Sequence, residues 1–158
     1  MEEETINAYL TFQVGECVFG VNVANVVEIL EYNEPKARQA NLPYLKGLIE
    51  HREVVIPLID TGLKFGMPPV NVSNQICTIV LAVNAGQSDE FDVAVVVDKV
   101  SDIIEVSEEN RQQITSTYKP GYVDFAAHGA DEQLVLMLNV DKVFSDTDIV
   151  ELKKIIKE

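Results

Sequence analysis

The two halves of the chain repeat one pattern of apolar, small and acidic residues. Residues 19–29 can be laid over residues 93–103, and residues 55–60 over residues 134–139, in the same order along the chain. The aligned pairs include Gly20 with Ala94, Val21 with Val95, Val26 with Val100, Glu28 with Asp102, and Ile29 with Ile103. Valine-rich strands often resemble one another, but the matched small and acidic residues favour a duplication. The repeat therefore predicts two similar subdomains, one in each half.

Both halves have the composition and spacing of β-strands. Leu10, Phe12 and Val14 alternate with more polar residues, which predicts a strand with one buried face. Further strand-like runs, rich in Val, Ile and Leu, lie at residues 17–21, 54–59, 76–83, 91–97 and 134–138. Closing a small sheet into a barrel removes its exposed edges, and small barrels must pack together to build a core. We therefore predict a mostly β fold with two packed subdomains, joined near residues 71–75.

Three local patterns add detail to this prediction. Pro57 lacks a backbone N–H, so its strand is predicted to be an edge strand or to carry a bulge. A helical spacing of apolar residues predicts a short amphipathic helix carrying Val23, Val26, Val27 and Leu30. A capping-box pattern followed by an apolar stripe predicts a C-terminal helix, on the evidence of Ser145, Asp148, Ile149, Leu152 and Ile156.

The charge balance bears on the class of partner. The chain has 26 acidic residues against 12 basic ones, for a net charge of −14. Such a surface repels nucleic-acid phosphates and anionic lipid headgroups, which argues against a nucleic-acid-binding protein. The apolar runs are too short to span a bilayer, and the acidic residues 1–4 are unlike a signal peptide. We therefore expect a cytoplasmic protein that does not insert into membranes.

Motifs for catalysis, metal binding and cofactor binding are missing from the sequence. The chain has two histidines, His51 and His128, and both fall in polar, loop-like stretches, which predicts solvated side chains. We find no nucleophile elbow, phosphate loop, dinucleotide fingerprint or zinc or calcium spacing. We therefore expect no catalytic residue, cofactor or metal, and favour a binding module that works through an apolar patch flanked by a few charges.

Four segments resemble one known family, the bacterial chemotaxis protein CheW. Residues 19–29 resemble its F-G-I-D-I followed by V-x-E-I, and residues 47–60 resemble G-V-I-N-L-R-G-x-V-I-P-V-I-D. Residues 96–103 resemble V-V-D-x-V-x-D-V, and residues 136–146 resemble L-L-D-x-D-K-L-F-S-D. Each segment alone is a weak signal, whereas their common order and spacing are specific. The resemblance runs over nearly the whole chain.

The resemblance implies a fold and a role. It implies one CheW-like domain over residues 8–158, with two five-stranded β-barrels packed together, short helices and a C-terminal helix. We assign the first barrel to residues 8–70, the second to residues 76–144 and the helix to residues 145–158. Family members are non-enzymatic adaptors that couple the cytoplasmic tips of chemoreceptors to the regulatory domain of a CheA-type histidine kinase.

The resemblance also transfers candidate partner-binding residues. Val26, Glu28 and Arg52 match positions linked to receptor contact, Ile103 matches an apolar position bordering the same groove, and Gly47 matches a family glycine. Each has a structural alternative. Val26 and Ile103 are equally explained as core residues, Glu28 with Arg52 as an internal ion pair, and Gly47 as a backbone position with positive φ.

The chain departs from the family at the loop that carries the arginine. The family's N-L-R-G is Glu50-His51-Arg52-Glu53 here, so only Arg52 is kept. This change leaves open an adaptor of a different receptor–kinase pathway, such as pilus-based motility. A second alternative is an enzyme or small-ligand-binding protein. A deep pocket that collects His51, Arg52 and a carboxylate would favour it, whereas a shallow apolar groove would favour the adaptor.

Overall fold

Ten strands account for most of the secondary structure in the part of the chain described by the computed structural model, residues 7–36, 42–84, 86–88, 90–111, 121–129 and 133–157. The strands are β1 (Asn7–Val14), β2 (Cys17–Asn22), β3 (Val26–Glu31), β4 (Leu45–His51), β5 (Val54–Asp60), β6 (Cys77–Val83), β7 (Phe91–Val97), β8 (Lys99–Val106), β9 (Val123–His128) and β10 (Leu134–Leu138). The helices are α1 (Thr61–Lys64), α2 (Val140–Val143) and α3 (Asp146–Lys157), with 3₁₀ turns at Val23–Asn25 and Glu108–Asn110.

The strands form two five-stranded sheets that each draw on both halves of the chain. Sheet I has the order β8-β1-β2-β10-β9, and sheet II has the order β3-β6-β7-β5-β4. The prediction of a mostly β fold with two five-stranded units is therefore confirmed. The predicted division into barrels at residues 8–70 and 76–144 is wrong, because strands β3 to β5 leave the first half to join sheet II and β8 to β10 leave the second half to join sheet I.

The sequence repeat survives this exchange as an identical arrangement of strands. Replacing each strand of sheet II by its counterpart five places away along the chain reproduces the order of sheet I. The register agrees as well, since the parallel pair β5–β7 aligns Leu58 with Ala94 and the parallel pair β2–β10 aligns Met137 with Gly20. A Cβ on Gly20 would lie 2.5 Å from Met137 Sδ, which explains the small residue at this place.

The ends of the two parallel pairs are built alike. Asp60 and Asn139 are equivalent in the repeat, and each caps the short helix that follows, through a bond from Leu63 N and from Asp141 N respectively. Their own backbone N–H groups donate to Tyr44 O and Tyr122 O, both at 2.8 Å. The repeat therefore extends to local hydrogen bonds, as expected for a duplicated unit.

Three apolar clusters fill the molecule. One lies in sheet I around Tyr9 and Met137, and another lies in sheet II around Leu58 and Val80. The largest is shared by both sheets and by α2 and α3, and it includes Phe12, Phe144 and Leu152. Strands β6 and β7 are buried on both faces because one face lies inside sheet II and the other meets the shared cluster. The shared cluster packs the two sheets against each other.

Neither sheet is a fully closed barrel within the described residues. In sheet II the chain after β3 returns to β4, where Lys36 and Leu48 exchange two backbone hydrogen bonds of 3.0 Å. This bridge brings the two outer strands together and nearly closes the sheet. In sheet I the outer strands are β8 and β9, and the described hydrogen-bond ladders leave them unjoined.

The amphipathic helix predicted around Val26 is wrong. Residues 23–25 form a 3₁₀ turn capped by the Asn22 side chain, and residues 26–31 form β3. The burial of β3 alternates between half-buried and exposed, with a register shift against β6 between Val26 and Glu28. β-Branched residues suit a paired strand better than a helix, and pairing with β6 overrides the helical spacing.

The prediction that the strand of Pro57 is an edge strand or carries a bulge is wrong, since β5 lies between β7 and β4 and the extra residue of the β4–β5 pair is on β4. The register shift between β4 and β5 falls between Leu45 and Gly47, opposite Leu58 and Ile59. The parallel ladder to β7 covers only Leu58 to Asp60, so Pro57 lies just before it. The missing N–H is tolerated because this ladder does not reach Pro57.

The C-terminal helix is present and capped as predicted. The Ser145 hydroxyl accepts from Asp148 N, and the Asp148 carboxylate accepts from Ser145 N, both at 3.1 Å. The fully buried face carries Ile149, Leu152 and Ile155, whereas the predicted Ile156 is half-buried at its margin. This face packs α3 onto the shared cluster.

No helix within the described residues is long and apolar enough to cross a membrane. The acidic residues 1–4, which were predicted to be unlike a signal peptide, lie outside the described residues.

A prediction follows for the docking of α3. Leu152 is fully buried, whereas Val150 on the opposite face is 50% exposed. We expect Leu152→Ala to lower the free energy of unfolding by about 2–5 kcal/mol, because it leaves a cavity in the shared cluster. The matched change Val150→Ala should alter it by no more than about 0.5 kcal/mol. Urea denaturation of both variants measures the difference, and equal values would mean that α3 is not docked as described.

Candidate protein-docking site

The loop that carries Arg52 is a tight β-hairpin turn. His51 pairs with Val54 at the ends of β4 and β5, so that only Arg52 and Glu53 form the loop. Both have positive φ, 52° for Arg52 and 68° for Glu53. Two successive residues with positive φ form the type I′ turn that matches the twist of the flanking strands. The turn therefore holds Arg52 at a defined place at the tip of the hairpin.

Glu28 on β3 connects this hairpin to the opposite outer strand of sheet II. Its Oε2 lies 2.5 Å from His51 Nε2, and its Oε1 lies 3.6 Å from Arg52 Nη2. The hydrogen bond from His51 and the nearby Arg52 guanidinium stabilise the carboxylate and outweigh its partial desolvation, so the pKa of Glu28 is lowered. An ionised carboxylate only accepts hydrogen bonds, so the proton in the short contact belongs to His51 Nε2.

His51 differs most from its predicted state. The sequence suggested a solvated loop histidine, whereas the side chain is 8% exposed and ends strand β4. The polar neighbours Glu50 and Arg52 concealed this burial, because residues beside a two-residue turn alternate between the two faces of the hairpin. The other histidine, His128, is exposed at the end of β9, in sheet I.

An open cleft of about 920 Å³ lies beside this cluster, and we call it the β3–α3 cleft. Its apolar lining comes from β3, β4, β5 and the end of α3, and consists of Leu30, Leu48, Ile49, Val55, Ile155 and Ile156. Its charged lining consists of Glu28, Glu31, Glu34, Lys36, Glu50 and Arg52. Apolar floors with charged rims are typical of protein-docking surfaces.

The Arg52 side chain is 69% exposed, although it touches Glu28. An internal ion pair between Glu28 and Arg52 therefore uses only part of the guanidinium. Because most of the side chain is exposed, the guanidinium keeps N–H donors accessible to a partner.

Gly47 and Val26 occupy positions with clear structural reasons. A Cβ on Gly47 would lie 2.4 Å from Lys36 O and 2.9 Å from Pro35 Cβ, so the bridge that nearly closes sheet II requires glycine there. Val26 is half-buried and packs against the shared cluster, two residues before Glu28 on β3. The structure gives both residues a role in the fold, and a contact with a partner remains a prediction.

Ile103 lies apart from the other candidates. It is on β8, an outer strand of sheet I, opposite Leu10, and it is 65% exposed. The core explanation is therefore wrong for Ile103. Among the described residues that line the β3–α3 cleft, Ile103 is absent, so the structure brings together Glu28 and Arg52 but not all five predicted residues.

Two exposed valines beside the turn were missed by sequence reasoning. Val54 is 58% exposed and Val55 is 42% exposed, directly after Arg52 and Glu53. The continuous apolar run at residues 54–59 gave no sign of an outward face. Their position after a two-residue turn was the available signal, because strand ends at a hairpin tip have few neighbours.

The cleft contains the three groups that would favour an enzyme or a small-ligand-binding protein if they lay in a deep pocket, namely His51, Arg52 and a carboxylate. The cleft is open, however, and His51 and Glu28 are engaged with each other at 2.5 Å. Among the described residues, no group of three or more His, Cys, Asp or Glu side chains could hold a metal ion. The geometry favours recognition by the exposed guanidinium over proton transfer.

The turn makes a stability prediction. A side chain with positive φ is strained, and glycine relieves this strain at some entropic cost in the unfolded state. We expect Glu53→Gly to raise the free energy of unfolding by about 0.5–1 kcal/mol. The same substitution at Glu50, an exposed residue within β4, should lower it by about 0.5–1 kcal/mol because glycine weakens a strand. Chemical denaturation of both variants provides the comparison, and destabilisation by Glu53→Gly would refute the type I′ assignment.

Comparison with known proteins agrees with this fold. The family model for the CheW-like domain matches residues 8–148. The chain is 27% identical over 153 residues to a chemotaxis protein CheW from Klebsiella aerogenes, which covers 94% of this chain and 88% of the relative. It is 28% identical over 141 residues to a probable chemotaxis protein CheW from Rhizobium etli, which covers 88% of each.

A solved structure has the same fold. The scaffolding protein TtCheW from Thermoanaerobacter tengcongensis superposes with a TM-score of 0.76 at 20% identity, over 89% of this chain and 94% of that one. The names of these matched proteins denote chemotaxis and scaffolding proteins rather than enzymes, in agreement with the prediction of a non-enzymatic protein. Because the family model matches most of its residues, the chain belongs to the CheW-like domain family.

Proposed function

We propose that this protein is a chemotaxis adaptor that couples the cytoplasmic tips of chemoreceptors to the regulatory domain of a CheA-type histidine kinase. It binds both partners and converts no substrate. In this role it is a cytoplasmic protein that reaches the membrane through its partners. The observation that carries the proposal is the exposed Arg52 guanidinium, presented on a rigid turn beside an open apolar cleft.

The form of the cleft supports a protein partner. A partner helix could place an apolar stripe against Leu30, Ile49 and Ile155, which line the cleft. Arg52 would then provide direction, since its remaining donors suit a carboxylate or a row of carbonyl groups on the partner. Arginine is one of the residue types enriched among those that dominate binding energy.

The two outer strands extend the proposed surface beyond the cleft. Ile103 on β8 and its repeat counterpart Ile29 on β3 are both exposed, at 65% and 45%. Large apolar side chains on outer strands are unfavourable in water and are often covered by a partner. We propose that Val26, Gly47 and Ile103 belong to the partner-binding region, Gly47 by holding the backbone that supports it.

The charges around Arg52 also suit an adaptor of a different receptor–kinase pathway. Glu50 and Glu53 place two carboxylates near Arg52, where the family motif has an asparagine and a glycine. Added negative charge changes which partner surface is tolerated. An adaptor for another receptor–kinase system, such as pilus-based motility, would use the same cleft. Parallel binding tests against receptors and kinases of both systems distinguish the two.

A charge reversal at Arg52 tests the proposed function. We expect Arg52→Glu to weaken co-sedimentation with receptor fragments and kinase by about tenfold or more, because an interface charge is inverted. The free energy of unfolding should change by less than about 1 kcal/mol, since the side chain is largely exposed.

Lys142→Glu is the matched control for this experiment. Lys142 is 59% exposed and lies 3.5 Å from the Asp124 carboxylate, in an ion pair much like that of Arg52 with Glu28, but it is on α2. The control variant should co-sediment like wild type. Equal losses in both variants, or none in either, would argue against a site at Arg52.

Ile103 needs a separate test because it lies on the other sheet. We expect Ile103→Ser to weaken receptor binding by about fivefold to tenfold through loss of apolar contact. Leu134→Ser, at an exposed leucine on β10 of the same sheet, should leave the affinity unchanged. Titration calorimetry with a receptor fragment measures both, and an unchanged affinity for Ile103→Ser would exclude this strand from the interface.

A further inference from the structure

The proposed docking role leaves open why His51, a polar side chain, is buried beside the cleft. It is 8% exposed and stands where the motif of the resembling family has leucine. A leucine in this place would pack but could not donate a hydrogen bond. The imidazole does donate, through Nε2 to Glu28 Oε2 at 2.5 Å.

This hydrogen bond joins the two outer strands of sheet II. Glu28 is on β3 and His51 is on β4, which lie at opposite ends of the strand order. The backbone bridge between Lys36 and Leu48 acts nearby, since it ties the segment that follows β3 to β4. Within the sheet, β3 pairs with β6 along one of its edges. His51 holds the Glu28 carboxylate from the other edge of β3.

The orientation of Arg52 depends on this fixed carboxylate. Its single contact with Glu28 is 3.6 Å long, and its side chain is mostly exposed. A long exposed side chain with one weak partner samples many rotamers, unless that partner is itself immobile. His51 immobilises Oε2 of the carboxylate, and this leaves Oε1 directed towards the Arg52 guanidinium.

We infer that His51 is a positioning residue of the docking site, which acts through Glu28 to set the direction of the Arg52 guanidinium and thereby the choice of partner. The selection of partner rests on the proposed function, whereas the positioning is a property of this chain alone. A preoriented guanidinium loses less side-chain freedom on binding, and it fits a carboxylate in one place better than in others.

Two substitutions separate the hydrogen bond from simple packing. His51→Leu keeps an apolar volume but removes the donor, and His51→Gln keeps an N–H at a similar reach. We expect the pKa of Glu28, followed by carboxyl carbon NMR, to rise towards its ordinary value in His51→Leu. The Arg52 side-chain N–H signal should also broaden or exchange faster with solvent. Both properties should stay close to wild type in His51→Gln.

Binding is measured on the same variants with the receptor fragment and kinase. We expect His51→Leu to lose about tenfold in affinity, and His51→Gln to recover most of it. Unfolding curves show whether either variant is merely unstable. A low Glu28 pKa and an ordered Arg52 in His51→Leu would overturn the inference. Equal defects in both variants would overturn it too, because they would assign His51 a packing role.

The NMR measurements distinguish this inference from the proposed function. If wild type binds neither receptor nor kinase, the proposed function fails, and the NMR comparison alone decides whether His51 positions Arg52. If wild type binds and Arg52→Glu abolishes binding, but His51→Leu binds like wild type with a disordered Arg52, the effect on partner choice is refuted.

Discussion

The two parallel strand pairs, β2 with β10 and β5 with β7, are the contacts on which the rest of the structure depends. Each pair joins a strand from one half of the chain to a strand from the other. They bring the sheets to a common apolar cluster, and the short helices α1 and α2 follow β5 and β10 in the chain. The β4–β5 hairpin, and with it Arg52, is held because β5 is fixed against β7.

The sequence predicted the structure correctly where a residue type has one clear structural role, such as capping a helix or making room for a neighbouring side chain. Ser145 and Asp148 marked the start of α3, and the pairing of Gly20 with Ala94 in the repeat anticipated a common register. The predicted assignment of one barrel to each half of the chain was wrong. The hydrophobic periodicity of a strand such as β3 is the same in either sheet, so it does not show which sheet the strand joins. The helix predicted around Val26 failed for a related reason, since pairing with β6 decides the conformation of a short apolar stretch.

The candidate site was anticipated less completely than the fold. Glu28 and Arg52 were identified through their family positions and are in contact, as their opposite charges allow. His51 was misjudged, since burial at the end of a hairpin strand depends on which residues contact it in the fold, here Glu28 on β3. Ile103 differs from its predicted surroundings in the opposite direction. It belongs to an apolar strand pattern, yet it is exposed because β8 is an outer strand.

The exchange of strands has a consequence for the order in which the protein can fold. Every strand of sheet II lies between residues 26 and 97, so this sheet can form once the chain as far as residue 97 has left the ribosome. Sheet I cannot, because the β1–β2 hairpin, which is synthesised before the other described strands, pairs with β8 and β10 far downstream. Closing such distant contacts is slow, and the hairpin must wait with its backbone edges unpaired. The first two strands of the domain to be made are thus among the last to reach their final surroundings.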